Sequence, residues 1–261
     1  MKGTGFSGRT TLIKRILGGS RRCLWVLGTR RMGKTSLLRQ LEYLTANDPS
    51  LGYWPLYWDL QGSRNAELLA KHLRLVLDGA APRLAALQIH LPPDHDAITL
   101  LHHLWLQVAR GSQRLLLLLD EAEELITLQQ AAPEALAGLY TVVHDSEELI
   151  TVLTATRELF ELNELPTKTS PFLDPFLPPE HLAMLTLEET TQLIADPQLP
   201  AADIFLVTGG HPYLVQYLCS ELWEGREFAE VVEATAANWV IADFFLKNHV
   251  QLTYNEQRIV Q

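Results

Sequence analysis

"LWVLGTRRMGKTSLLRQL", Leu24 to Leu41, decides how this chain folds. Gly28, four intervening residues and then Gly33-Lys34-Thr35 directly follow a short apolar run that begins at Cys23. The spacing G-x-x-x-x-G-K-T between a strand and a helix is the Walker A pattern. Its chemistry needs these residue types. Glycines reach φ values that other residues resist and let the backbone close on a phosphate. Successive N–H groups and the N-terminus of the next helix favour the anion. Lys34 would reach the β- and γ-phosphates, and the Thr35 hydroxyl would ligate Mg²⁺. The candidate nucleotide-binding stretch is therefore Gly28, Thr29, Arg30, Arg31, Met32, Gly33, Lys34, Thr35 and Ser36. Arg30 and Arg31 lie in its variable part, where two solvated charges are the preferred reading over a direct phosphate role. An ordinary glycine-containing strand–helix turn is the alternative for the whole stretch.

A second strand, "RLLLLLDE" from Arg114, ends in Asp120 and Glu121. Ligands bind at the C-terminal ends of strands in parallel sheets. An Asp there can hold Mg²⁺, and the next Glu can orient or deprotonate an attacking water. Asp120 joins Thr35 as a metal candidate, and Glu121 joins Lys34 as a catalytic candidate. The alternative is two acids favoured at a helix N-terminus by its dipole. Glu123 and Glu124 read as solvated helix residues. A third strand, "LITVLTATR", ends in Thr154, Thr156 and Arg157. Arg157 is a catalytic candidate if its strand lies between the other two, because a cation there would meet the terminal phosphate. A strand-end Arg paired with surface acids is the alternative.

Around these motifs, strand patterns alternate with helix patterns as far as about residue 185, which predicts a parallel sheet with helices on both faces. "YWPLYWDL" from Tyr53 reads as a strand, with Pro55 placing it near an edge; "HLAML" from His181 is a candidate fifth strand. Helices are expected over 10–17, 34–44, 66–77, 96–108 and from Pro133, and 166–180 as a Pro-rich loop. Beyond Leu187 only helix patterns remain, over 188–195, 201–207, 212–223 and 228–247. The expected organisation is an α/β domain over 1–186, a small helical lid over 187–249, and a further domain beginning at 250–261.

Composition bounds the partners. The chain has 261 residues and a formal net charge of −10, so the charge does not support a broad nucleic-acid-binding face. Two distant cysteines in no C-x-x-C pair suit a reduced, cytoplasmic protein. The nine histidines show no metal-ligand spacing. No signal peptide is visible, and the longest apolar run, Leu115 to Leu119, is far too short to cross a membrane. "MKGTGFSGR" opens almost on a motif and "LTYNEQRIVQ" stops within a helix pattern, so a segment of a longer protein is expected.

"FSGR" at Phe6 to Arg9, the loop at Gly28, the acids at Asp120, Arg157 in "TATR" and "TGGHPYLVQYL" at Thr208 to Leu218 form an ordered set. That set resembles the STAND-type P-loop ATPases, signalling relatives of AAA+ proteins, in their bacterial and archaeal branch. The resemblance implies that Phe6, Gly8 and Arg9 help hold the adenine. It implies that Gly210 and Pro212, in a G-x-P turn, pack near the adenine and ribose, and that Arg157 ends the sensor-1 strand. A tail and first-helix role for Phe6 and Arg9, and a plain helix start at Gly209-Gly210, are the bland alternatives. The resemblance further implies ATP/ADP and Mg²⁺, an ATP-dependent homo-oligomer of the full-length protein, and fused sensor or effector domains. "LTYNEQRIVQ" resembles only the first helix of the winged-helix domain that usually follows in such proteins. His249 falls too early to be the phosphate-sensing histidine of that domain.

Three functions use such a site: a nucleotide-dependent signalling switch, a DNA-binding AAA+ ATPase of the origin-recognition type, and a small-molecule kinase. The kinase reading is weakest, because no Arg-rich phosphate clamp follows Thr186. A motor would need an arginine finger in trans, and Arg110, Arg114 and Arg157 have no distinctive context for it. The switch, with slow ATP hydrolysis and a role in signal transduction such as prokaryotic defence, is the expectation; the DNA-binding ATPase is the alternative.

Overall fold

The computed structural model describes residues 3–92, 95–166 and 171–250. The chain divides into two compact units. The first comprises residues 1–3, 9–27 and 34–181, and the second 4–8, 28–33 and 182–261.

The first unit holds a five-stranded sheet of β1 (Cys23–Leu27), β2 (Tyr53–Asp59), β3 (Arg114–Asp120), β4 (Leu149–Ala155) and β5 (Glu180–His181). All pairings are parallel, in the order β2-β3-β4-β1-β5. β4 therefore lies between the strand that precedes the phosphate loop and the strand that ends in Asp120. The helices are α1 (Thr10–Leu17), α2 (Lys34–Asn47), α3 (Ala66–Gly79), α4 (Ala81–Ala86), α5 (Ala97–Arg110), α6 (Glu124–Ala131) and α7 (Pro133–Asp145).

Strand side chains alternate between the two faces of the sheet. Trp25, Trp54, Trp58, Leu117 and Leu153 pack in one cluster with residues of α3, α5 and α7. The intervening Leu116, Leu118, Ile150 and Val152 are equally buried, and α2 lies against β2, β3 and β4. Burial on both sides explains why β3 reads as an unbroken leucine run rather than an alternating one. β2 is an edge strand, so Pro55 is tolerated where an interior strand would lose a ladder bond.

The second unit contains α8 (Leu187–Ile194), α9 (Ala201–Thr208), α10 (Pro212–Trp223), α11 (Phe228–Ala236) and α12 (Trp239–Val250). Thr186 opens α8 with a full capping box: its hydroxyl accepts from Glu189 N–H, and the Glu189 carboxylate accepts from Thr186 N–H.

Three expectations need correction. The fifth strand is two residues, Glu180–His181, rather than 181–185. It pairs only with Val26 and Leu27, where β1 itself ends, so no ladder remains for Leu182 onward. The single helix expected over 228–247 is two helices, because the Asn238 side chain accepts from the N–H groups of Val240 and Ile241 and starts a new one. The 166–180 loop carries a short 3-10 turn, Asp174–Phe176. Residues 251–261, where a further domain is expected to begin, lie outside the described residues, as does the side chain of His249. No helix among the described residues is long and apolar enough to cross a membrane. Both cysteines are free and buried, and burial pushes each thiol up to about 11.

Candidate functional site

The sheet unit gathers its acids at the C-terminal ends of β2 and β3. The ladder pairs Asp59 with Asp120, so two carboxylate-bearing residues share one rung. Asp120 is only 1% exposed, and three neutral donors hold it. The Tyr57 hydroxyl donates to Oδ2 at 2.8 Å, the Thr154 hydroxyl donates to Oδ1, and Glu121 N–H donates to Oδ1 at 3.1 Å. Burial first, and then the Asp120 charge, push the Tyr57 phenol well above its usual range, so it stays a donor. The Arg39 guanidinium stacks over the Tyr57 ring at 3.3 Å and fixes its plane.

This environment fits a hard cation. Asp120 offers carboxylate oxygen held in place by its three donors, and oxygen ligands suit Mg²⁺. Among the described residues no three His, Cys, Asp or Glu side chains group to hold a metal by themselves. A magnesium ion here would therefore be shared with phosphate and water, its usual habit.

Glu121 lies just past β3 with φ of +50°, a left-handed conformation unusual for a residue with a side chain. Such strain is kept where the surroundings determine it, and functional sites are where it clusters. Its carboxyl is raised above the usual range by partial desolvation first, then by the Glu123 charge, with Asp120 and Asp59 adding; the Lys34 ammonium opposes them. Lys34 is the first residue of α2 and only 7% exposed. Thr35 is exposed and Ser36 half-buried. Arg157 is half-buried and begins a 3-10 helix, Arg157–Glu164, beyond β4. Arg9 adopts a φ of 61° at the N-cap of α1. Lys34, Asp120, Glu121 and Arg157 thus all belong to the sheet unit.

The second unit contains the other candidates. Gly33 has φ of +90°, and a Cβ added there would meet nothing within 4 Å. The position needs glycine for its backbone angle and leaves open space where an anion would lie. Thr29 is half-buried and Met32 buried. Arg30 is exposed, while the exposed Arg31 is not simply solvated: its guanidinium lies 4.2 Å over the ring of Tyr213. Tyr213 follows Pro212, the first residue of α10. Gly210, φ +73°, passes so close to the approach to α8 that an added Cβ would sit 2.1 Å from the Leu185 carbonyl oxygen. His211 between them is buried, and burial with help from Arg31 pushes its imidazole down to about 4. Phe6 is half-buried, and Gly8 lies against Glu189 and Leu185.

One further expectation fails here. Glu123 is not a solvated helix residue: it precedes α6, is half-buried, and its carboxylate accepts from the Thr156 backbone N–H. Arg114 stands at the opposite end of β3 from Asp120, near Glu148 and stacked on Tyr53. Sequence reasoning misses Tyr57 altogether; only the strand register reveals it beside Asp120.

The AAA domain family model matches residues 14–162, more than half of the chain. The chain belongs to the AAA domain family. This AAA domain also has the fold of known archaeal ATPase structures. The Walker-type ATPase of Pyrococcus abyssi is similar with a TM-score of 0.71 and 16% identity, over 94% of this chain and 76% of that one. The Aeropyrum pernix ORC2 protein is similar in its ADP form, with a TM-score of 0.57 and 16% identity over 85% of this chain and 66% of that one. Its ADPNP-ADP complexes give 0.59 at 16% identity, over 88% and 68%. At such identities the likeness is one of fold. No curated protein matches the AAA domain at the sequence level.

Proposed function

We propose that this AAA domain binds ATP and ADP with Mg²⁺, hydrolyses ATP slowly, and serves as a STAND-type switch in signal transduction. The observation that carries the switch is the stack of Arg31 on Tyr213. Arg31 is inside the phosphate loop, and Tyr213 is in the first turn of α10, so a change in the loop bears directly on a helix of the second unit. A switch requires its ligand to bind two arrangements with different affinity.

In this reading the loop amides of Gly28 to Gly33 and the Lys34 ammonium bind the β- and γ-phosphates. Ser36 supports the loop at the start of α2. Thr35 and Asp120 hold the metal, which supplies neutralising charge at the phosphates. Tyr57 and Thr154 orient Asp120. Glu121, with its raised carboxyl, accepts a proton from the attacking water. Arg157 bears on the terminal phosphate. Phe6, Gly8, Arg9, Gly210 and Pro212 hold the adenosine. The helical lid is assigned to 187–249, with a further domain from 250. The nucleotide state would control a homo-oligomer and attached effector domains, in a cytoplasmic protein.

Titrating the chain with a fluorescent ATP analogue tests the nucleotide reading. Saturable binding that Lys34→Ala weakens by about a hundredfold is the expected result; equal binding by both proteins contradicts it. A second reading, a DNA-binding ATPase of the origin-recognition type, is supported by the shared fold with the ORC2 protein, and the −10 net charge weighs against it. Salt-dependent DNA binding by the chain with its flanking domains would favour that reading.

A further inference from the structure

We infer that Glu123 is a positioning residue of the hydrolytic site, and that it sets the place of Arg157 by holding the backbone of Thr156. The inference rests on the hydrolysis proposed above.

β4 pairs with β3 as far as Leu153 and with β1 as far as Ala155. The Ala122 N–H still donates to the Thr154 carbonyl at 3.1 Å, but Thr156 has no strand beside it. Thr156 is nonetheless only 3% exposed, so its N–H needs an acceptor within the protein. Glu123 Oε1 is that acceptor. A carboxylate makes a stronger bond to an N–H than a neutral oxygen does.

The cap of the next element gives the second observation. Thr156 occupies the N-cap of the 3-10 helix that starts at Arg157. A threonine there normally caps with its own hydroxyl. Here the hydroxyl makes no cap bond, and Oγ1 is buried without a partner among the described residues. The turn that aims Arg157 is therefore held from outside, by Glu123. The other oxygen, Oε2, is also buried and unpartnered among the described residues. A group carried at that cost is expected to have a purpose beyond covering surface.

Glu121 and Glu123 then divide the work. Glu121 is exposed and left-handed at its backbone, and the proposed function makes it the base. Glu123, two positions on, is half-buried and ties the end of β3 to the end of β4. Through that tie, the acid-bearing loop after β3 and the cation-bearing turn after β4 keep a fixed spacing.

Steady-state ATPase kinetics of the full chain with Mg²⁺ test this, using Glu123→Ala, Glu123→Gln, Lys34→Ala and the unaltered protein. We expect Glu123→Ala to lower kcat about tenfold, as losses of orienting partners do, with KM nearly unchanged, at a temperature where the variant, somewhat less stable for the orphaned Thr156 N–H, is still fully folded. Glu123→Gln keeps an oxygen that can accept from Thr156 N–H, and should recover most of the loss. A purely structural role would instead lower the melting temperature and leave turnover of the folded variant unchanged. Unchanged turnover in Glu123→Ala, or a Gln variant as slow as Ala, overturns the inference while hydrolysis stands. Turnover by the unaltered chain no faster than Lys34→Ala overturns the hydrolysis reading itself, and the inference with it.

Discussion

The sheet unit and the helical unit are stabilised in different ways. In the first, Leu115 to Leu119 are all fully buried, and large side chains such as Trp25 and Trp58 lie in one continuous core. In the second, one buried cluster comprises Ile194, Ile204, Val215 and Cys219, and Leu185, Leu218 and Val231 are buried as well, while Leu206 is 80% and Trp239 76% exposed. Burial of this kind sets local stability, so the sheet should resist opening and the helices should open more readily. The difference suits the division of labour. Asp120, Tyr57 and Thr154 must hold sub-ångström geometry, which a doubly covered sheet provides. In the switch proposed above, the helical unit would have to shift at low cost, and its exposed apolar side chains suit that.

The sheet side of that comparison is broken most severely at Glu121. Glu121→Gln should bind ATP as before and lose turnover by about a thousandfold, as expected for a general base. Single-turnover hydrolysis checks it, and an undiminished rate removes Glu121 from the role. Next comes Lys34→Ala, expected to weaken ATP binding by about a hundredfold, read by equilibrium titration.

Acid should separate the two units. His211 titrates near 4 in the folded chain and near 6.5 when unfolded. Its contribution to stability is therefore complete above about pH 6.5 and is lost as pH falls toward 4. At 1.36 kcal/mol per pH unit, that loss is at most about 3 kcal/mol. Hydrogen exchange across this range should show α10 loosening before β3 and β4. Replacing His211 with Asn should flatten that pH dependence.

These contrasts are only partly legible in the sequence. β3 is readable because a five-leucine run ending in two acids has one sensible place, the buried centre of a parallel sheet. The phosphate loop is readable because its chemistry demands fixed spacing. Tyr57 is not readable, since its role depends on β2 pairing with β3 in a register that no local pattern encodes. Glu123 misleads for a related reason: its partner, Thr156, is 33 residues away and meets it only because β4 lies beside β3. The break at Asn238 is hidden because apolar residues run on both sides of it, and only the side-chain cap shows that the helix restarts.

A milder change sharpens the sheet side. Tyr57→Phe removes one of the donors to Asp120 and should lower Mg²⁺-dependent turnover about tenfold, with ATP affinity little changed. A Mg²⁺ titration of activity reads the effect. On the helical side, Arg31→Ala should alter ATP affinity by only about twofold to threefold, a small exposed contribution. It should nevertheless weaken the response of α10 to nucleotide.

That response is also the most direct test of the central claim, that α10 reads the phosphate loop through Arg31 and Tyr213. Amide hydrogen exchange should be compared in the ATP-bound Glu121→Gln protein and in the same protein with ADP. The account predicts different protection over 201–223 in the two states, a difference that Tyr213→Ala abolishes while β3 and β4 exchange alike in both. Identical exchange of 201–223 with ATP and ADP, at saturating nucleotide, would contradict it.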